Sequence, residues 1–137
     1  MATFISHSPA ETEDFAARLG AAVEPRCVIG LTGELGAGKT QFVKGLARGL
    51  GITSRVHSPT FALLNLYEGG RLPLFHLDLY RLETHEQIVV AGLEEYFRPS
   101  GVSVVEWAER WQGPEPDCYR RFHLHVLNET ERQIAYG

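Results

Sequence analysis

One short segment of the sequence combines three glycines, a lysine and a threonine at fixed spacing. Residues 33–40 read GELGAGKT and match the pattern G-x-x-x-x-G-K-[ST] at every fixed position. In such a loop the glycines let successive backbone N–H groups point at phosphate oxygens, and the following helix adds the positive end of its dipole. The lysine reaches the β- and γ-phosphates, and the final hydroxyl can bind Mg²⁺. Lys39 and Thr40 occupy these two positions, so the segment predicts a nucleotide-binding loop.

The alternative interpretation is a glycine-rich turn that merely joins a strand to a helix. An apolar run over 26–33 leads into the loop, and an amphipathic pattern over 40–51 follows it, which is the context of a phosphate loop. Lys39 and Lys44 are the only lysines in the chain, so the Asn-Lys-x-Asp motif with which Ras-like GTPases recognise guanine is absent. We therefore expect the nucleotide to be ATP.

Three later segments are candidates to complete a site for turnover, which needs a further acid and usually a sensor of the γ-phosphate. HSPTF, at 57–61, is a proline-stiffened loop with two hydroxyls, suited to a switch or else an ordinary Ser-Pro turn. Asp78 ends an apolar strand, where burying a carboxylate costs free energy unless it binds a metal, accepts a proton or makes a hydrogen bond. The alternative interpretation is that Asp78 only caps the end of the strand. Glu106 ends the β-branched run VSVVE, a position from which an acidic side chain could bind a metal beside the phosphate loop. The alternative interpretation is that Glu106 is the first residue of a helix.

Other polar residues are weaker candidates. His123 and His125 share a strand face but lack a third metal ligand at suitable spacing, so we interpret them as structural. Arg120 and Arg121 fit the solvated start of a strand better than an RNA contact. The net charge of −4 and the pI near 5.8 also argue against broad, charge-driven binding of nucleic acid by this chain.

The elements that must position these residues follow from the hydrophobic periodicity. Strands that alternate with helices in a chain of 137 residues predict one α/β domain, 1–137, with a mixed parallel and antiparallel sheet. The predicted elements are a helix over 8–23, a strand over 26–33, a helix over 40–51, a hairpin of 60–67 with 72–80, a helix over 83–99 interrupted near Gly92, a strand over 101–107 and a terminal hairpin of 119–127 with 132–137.

Cysteine usage and apolar runs bear on the cellular compartment. Cys27 and Cys118 form no C-x-x-C pair, so reduced thiols are the simplest interpretation, although a long-range disulfide stays possible. The first fifteen residues lack a basic start followed by an apolar run, and no apolar stretch has spanning length. We expect a soluble, cytoplasmic domain with no membrane partner.

GELGAGKT, HSPTF, HLDLYRL and VEWAER, in this order within one small domain, resemble the TsaE (formerly YjeE) family over residues 8–111. TsaE proteins are ATPase subunits of the bacterial machinery that makes N6-threonylcarbamoyladenosine (t6A) in tRNA. The resemblance implies a single P-loop NTPase domain, slow ATP hydrolysis with Mg²⁺, and association with the TsaB–TsaD heterodimer, through which the chain acts on tRNA indirectly.

The resemblance also implies roles by position. Lys39 would contact phosphates, Asp78 would be the acid needed for hydrolysis, and Thr40 and Glu106 would bind Mg²⁺. Ser58 and Thr60 would lie in a switch-like loop, and Trp107 matches the family's Glu-Trp pair. Thr12 would lie near the base, and the remaining nucleotide contacts would come from Gly33, Glu34, Leu35, Gly36, Ala37, Gly38, Lys39, Thr40 and Gln41.

Two features leave alternatives open. Ala108 stands where the family usually has proline, and because alanine tolerates the same turn we expect only a small geometric effect. The tail after residue 112 carries little family signature.

Two other functions compete with the ATPase subunit. One is a free-standing small-molecule kinase with Asp78 as its base, and the other is a nucleotide-gated binding module that never hydrolyses its nucleotide. The absence of a lid segment argues against the first, and two acids beyond the loop argue against the second.

Overall fold

A computed structural model of the chain describes residues 2–34, 36–56 and 63–137, so Leu35 and the HSPTF segment lie outside the described residues. The described residues form one sheet flanked by helices. The strands are β1 (Ala2–Ser6), β2 (Cys27–Thr32), β3 (Leu64–Tyr67), β4 (Leu74–Asp78), β5 (Val102–Glu106), β6 (Cys118–Val126) and β7 (Arg132–Tyr136). The helices are α1 (Pro9–Ala22), α2 (Lys39–Gly49) and α3 (His85–Val90), with 3-10 turns at Glu94–Phe97 and Ala108–Arg110.

The sheet is mixed in direction, as the sequence predicts. Its strand order is β1-β7-β6-β2-β5-β4-β3. The four central strands β6, β2, β5 and β4 are parallel neighbours, whereas β7, β1 and β3 are antiparallel to the strands they pair with. Because β2, β5 and β4 are parallel and adjacent, their carboxyl ends meet at one edge of the sheet. The phosphate loop, Glu106 and Asp78 all follow or end these strands.

Helices cover the two faces of the sheet unequally. α1 and α2 pack on each other and on the face that carries Ile29, Val104 and Phe122. α3 and the 3-10 turns pack on the other face through Ile88 and Phe97. Among the described residues, no helix combines the length and the hydropathy that crossing a membrane would require.

Most predicted elements are confirmed, with two differences. The interruption predicted near Gly92 is confirmed, since Gly92 has φ of 79°, but the segment that follows it is a 3-10 turn and not an α-helix. Strand β1 was not predicted. It pairs Ala2–Ser6 with Arg132–Tyr136 at the sheet edge, and a five-residue strand near the amino terminus has no strong local pattern.

The prediction of reduced thiols is wrong for this structure, in which Cys27 and Cys118 form a disulfide. The two residues lie 91 positions apart in sequence. They are direct neighbours in the register between β2 and β6, which brings their Cα atoms to 4.6 Å. Only the strand order reveals this proximity.

Candidate functional site

The phosphate loop depends on three glycines with positive φ. Gly33, Gly36 and Gly38 have φ of 138°, 80° and 95°, which side chains rarely tolerate. Gly38 is the N-cap of α2, so the helix begins within the predicted motif with its first N–H groups directed at the loop. A Cβ on Gly33 would lie 2.2 Å from the backbone oxygen of Leu124, whereas a Cβ on Gly36 would meet nothing within 4 Å.

Lys39 is the first residue of α2 and is only 6% exposed. Its ammonium group donates a hydrogen bond to the Gly33 carbonyl and lies 4.0 Å from the centre of the Trp107 ring. Burial lowers the pKa of Lys39, and the carboxylates of Glu106, Glu109, Asp78 and Glu34 partly oppose this effect. The ammonium is therefore held at the loop in a field of surrounding negative charge.

Asp78 and Glu106 are brought together by the pairing of β4 with β5. The two residues are direct register partners at the carboxyl ends of these strands. Both lie on the side of the sheet that carries α2, whereas Leu77 and Val105 pack on the opposite face. The pairing therefore places two acids near Lys39.

Glu106 is fixed by a buried histidine. The carboxylate is 4% exposed, and its Oε2 lies 2.6 Å from Nε2 of the fully buried His76. Nδ1 of His76 in turn lies 3.3 Å from the hydroxyl of Tyr67. This chain of contacts orients one oxygen of Glu106 into the sheet, and its other oxygen makes no hydrogen bond to a described residue.

The second acid has an altered acidity. Burial raises the pKa of Asp78, and the neighbouring Glu106 raises it further, while a hydrogen bond from the Tyr80 backbone N–H lowers it. That N–H lies 2.9 Å from Oδ1 of Asp78. A carboxylate with a raised pKa accepts a proton more readily than an exposed one.

The oxygen ligands at this site fit Mg²⁺, which phosphates and water also coordinate, better than a metal ion that protein side chains alone would hold. The residues that the structure describes contain no group of three or more His, Cys, Asp or Glu side chains able to hold an ion. Thr40 offers a half-buried hydroxyl and Glu106 a free carboxylate oxygen, both of which are hard ligands. Mg²⁺ is commonly bound by one or two protein oxygens together with phosphates and water.

The structure places Thr12 and Gln41 beside the loop. Thr12 is 2% exposed, and its hydroxyl donates to Oγ of Ser6 over 2.7 Å. The Thr12 methyl group lies 4.0 Å from where a Cβ on Gly38 would stand. Gln41 donates to Oε2 of Glu13 over 2.8 Å and so ties α2 to α1. Their predicted contacts with the nucleotide stay predictions.

Residues of the terminal hairpin also belong to the site, although sequence reasoning left this segment without a role. Glu34 accepts a hydrogen bond of 3.0 Å from the Val126 backbone N–H, which lowers the pKa of its carboxyl. Nε of Arg132 donates to the Gly36 carbonyl over 3.2 Å. The hairpin therefore braces the phosphate loop. No local motif marks these residues, since their partners are more than ninety positions away.

His123 and His125 each have a polar neighbour in the described part of the chain, and their structural role stays a prediction. Nδ1 of His123 lies 2.7 Å from the Thr32 hydroxyl. Nδ1 of His125 lies 3.5 Å from Oε1 of Glu34. Each ring therefore has its own partner, and neither belongs to a group of metal-binding side chains among the described residues.

Trp107, directly after β5, has an unusual backbone conformation. Its φ of 60° lies in the left-handed region, which is unusual for a bulky residue and is found at functional sites. This conformation turns the chain out of the sheet directly after Glu106, and the indole ring then lies over the Lys39 ammonium. Ala108 begins the following 3-10 turn, which alanine accommodates at this position.

Known proteins resemble this chain over most of its length. The family model described as "Threonylcarbamoyl adenosine biosynthesis protein TsaE" matches residues 6–134. The tRNA threonylcarbamoyladenosine biosynthesis protein TsaE of Bacillus subtilis is 42% identical over 94% of this chain and 80% of the relative. The protein of that name from Treponema pallidum is 42% identical over 96% of both chains.

A solved structure supports the fold independently. The crystal structure of Bacillus subtilis YdiB matches with a TM-score of 0.82 and 37% identity, over 98% of this chain and 83% of that one. TsaE proteins take part in threonylcarbamoyladenosine biosynthesis. With the family model covering nearly the whole length and relatives this similar, the chain belongs to the TsaE family.

Proposed function

We propose that this chain is a Mg²⁺-dependent ATPase subunit that acts in the cytoplasm with a TsaB–TsaD heterodimer in forming t6A in tRNA. The observation that carries the proposal is the meeting of Lys39, Asp78 and Glu106 at one edge of the sheet, beside a loop with three positive-φ glycines. A loop that only joined a strand to a helix would not need a buried ammonium and two neighbouring acids.

The phosphate chain would be held by the loop amides, the amino end of α2 and Lys39. Thr40 and the free oxygen of Glu106 would hold Mg²⁺, which when bound offsets negative charge on the phosphates. His76 keeps the other oxygen of Glu106 in place, so the ligand does not have to be ordered when the ion arrives.

Asp78 would orient a water molecule toward the γ-phosphate and take up its proton. Burial raises the pKa of this carboxyl, so it accepts a proton more readily than an exposed aspartate does. The hydrogen bond from Tyr80 fixes one carboxylate oxygen, which leaves the other to contact water. The products of this step are ADP and inorganic phosphate.

Turnover by the isolated chain would be slow. Phosphoryl transfer depends on groups that stabilise charge in the transition state, and supplying such a group in trans is worth about 10³- to 10⁵-fold in rate. Among the described residues, Arg132 reaches the phosphate loop, where its Nε donates to the backbone of Gly36. A partner that docks beside the loop and Trp107 would supply what a domain of this size lacks, and its affinity would depend on the bound nucleotide.

Phosphate release measured in three arms tests the proposal: the protein alone, the protein with small-molecule acceptors, and the protein with TsaB and TsaD. We expect a low rate alone and a marked increase with the two proteins. Lys39→Ala should abolish the increase. Lys44→Ala is the matched control, because Lys44 is an exposed lysine on the same helix.

Two results would contradict the proposal. Fast transfer to a free metabolite without any response to TsaB and TsaD would identify a small-molecule kinase. ATP binding without phosphate release in any arm would identify a binding module. In the cell, co-purification of TsaB and TsaD homologues with this chain in the presence of ATP provides an independent test of the partnership.

A further inference from the structure

Arg110 holds the turn that follows Asp78. Its side chain leaves the 3-10 turn after β5 and reaches across to the end of β4. There Nη1 donates to the carbonyls of Leu79 at 3.3 Å and Leu82 at 3.2 Å, and also to that of Tyr80. The same turn supplies the Tyr80 N–H that binds Asp78. One guanidinium group therefore fixes the backbone that orients the second acid of the site.

The same side chain packs against the aromatic residues of the site. The guanidinium carbon lies 5.3 Å from the centre of the Trp107 ring and 5.8 Å from that of Tyr80. The two rings are 5.2 Å apart, and Trp107 lies over the Lys39 ammonium. Arg110 thus contacts, on one side, the turn next to Asp78 and, on the other, the ring next to Lys39.

We propose that Arg110 is a positioning residue that sets the distance between Asp78 and the phosphates held by Lys39. This inference rests on the proposed ATPase function. Its donors are directed at three backbone carbonyls, so Arg110 acts through the turn and through Trp107. A displacement of about 1 Å at such a position can lower a rate by about 100-fold, because the attacking group leaves its productive geometry.

Lysine cannot replace arginine in this role. All three hydrogen bonds come from the single atom Nη1, so the number of donors does not distinguish arginine from lysine. What a lysine ammonium lacks is the planar guanidinium that lies against the rings of Trp107 and Tyr80. We therefore expect Arg110→Lys to lower the rate of hydrolysis about 10- to 100-fold with little change in the affinity for ATP. Arg110→Gln, which keeps neither the charge nor the guanidinium, should be at least as slow.

Arg71 is the matched control. Its Nη2 donates to the carbonyls of Gly20 and Val23, both at 2.8 Å, so it also joins two backbone segments. None of its described contacts involves the phosphate loop, Asp78 or Glu106. Arg71→Lys removes a guanidinium that likewise donates to backbone carbonyls from one nitrogen, and it should lower stability without changing the rate of hydrolysis by the folded protein.

Single-turnover hydrolysis with protein in excess separates rate from affinity, even for a slow enzyme. A second measurement follows the fluorescence of Trp107 in a Trp111→Phe background, since the chain has two tryptophans. Arg110→Lys should shift the Trp107 emission and lower the maximal rate, with half-saturation by ATP changed less than about twofold. Arg71→Lys should leave both signals as in the parent protein.

Two outcomes would overturn the positioning role: a maximal rate for Arg110→Lys equal to that of the parent, or losses of rate in Arg110→Lys and Arg71→Lys that match their unfolded fractions. A parent protein that releases no phosphate, alone or with TsaB and TsaD, would instead refute the proposed function. The two failures are therefore distinguishable.

Discussion

Gly33→Ala tests whether the terminal hairpin braces the phosphate loop. An alanine at this position must adopt a φ near 138°, which costs on the order of 1–3 kcal/mol. Its Cβ would also lie 2.2 Å from the Leu124 oxygen, so β6 or the loop must move. Overpacking of this kind costs about 1–3 kcal/mol more. The expected loss of unfolding free energy is therefore about 2–6 kcal/mol.

Gly36→Ala is the control within the same loop. Its φ of 80° carries the left-handed penalty of about 1–2 kcal/mol, and a Cβ there meets nothing within 4 Å. For a domain of this length, 1 kcal/mol corresponds to roughly 3–4 °C in Tm. Gly33→Ala should therefore melt roughly 6–24 °C below the parent, and Gly36→Ala roughly 3–8 °C below it.

Thermal unfolding followed by circular dichroism, at equal protein concentrations without nucleotide, measures both shifts. A Tm for Gly33→Ala as high as that of Gly36→Ala would refute the close contact between Leu124 and the loop. Gly33→Ala should also weaken ATP binding, because the Gly33 carbonyl accepts the hydrogen bond from Lys39.

The remaining predictions concern the acids and the metal ligands. Asp78→Asn should abolish most hydrolysis while keeping ATP affinity, as measured by phosphate release and by titration with an ATP analogue. Because the folded-state pKa of Asp78 is raised, its ionised form costs stability above the ordinary pKa of about 3.9. Asp78→Asn should therefore raise Tm at pH 7, and this gain should vanish as the pH falls below 4; an equal gain at both pH values would contradict the assignment. For the same reason, hydrolysis by the parent should fall with acid at a midpoint above that of an exposed aspartate. Glu106→Gln should lose hydrolysis in a way that high Mg²⁺ partly restores, whereas Mg²⁺ should not rescue Asp78→Asn; normal turnover by both variants would place the chemistry elsewhere. Thr40→Ala should raise the Mg²⁺ concentration needed for nucleotide binding without changing Tm, because its half-buried hydroxyl has no partner among the described residues.

The sequence by itself determined the features that depend on local pattern. GELGAGKT predicts its loop because glycine freedom, a lysine and a hydroxyl must occur at fixed spacing for phosphate binding. Periodicity likewise predicted α1, α2 and the strands β2, β4 and β5, since apolar residues repeat with the period of each element. The apolar run before Asp78 also predicted that this acid ends a strand, and Asp78 is the last residue of β4.

The tertiary structure decided which distant residues meet. The hydrogen bond from His76 to Glu106 requires β4 to lie beside β5, and strand order is not written in the local pattern of either segment. The disulfide between Cys27 and Cys118 depends in the same way on β2 pairing with β6. Strand β1 exists because β7 offers it a partner, and short edge strands are stabilised by pairing more than by propensity.

The phosphate loop also depends partly on local sequence and partly on tertiary contacts. The glycine pattern identifies the loop, but the pattern does not say what holds it in place. The supports come from the terminal hairpin, through Val126 and Arg132, and from Trp107 over Lys39. These contacts join segments far apart in the chain, so their formation depends on the packing of the whole sheet and not on the propensity of any one segment.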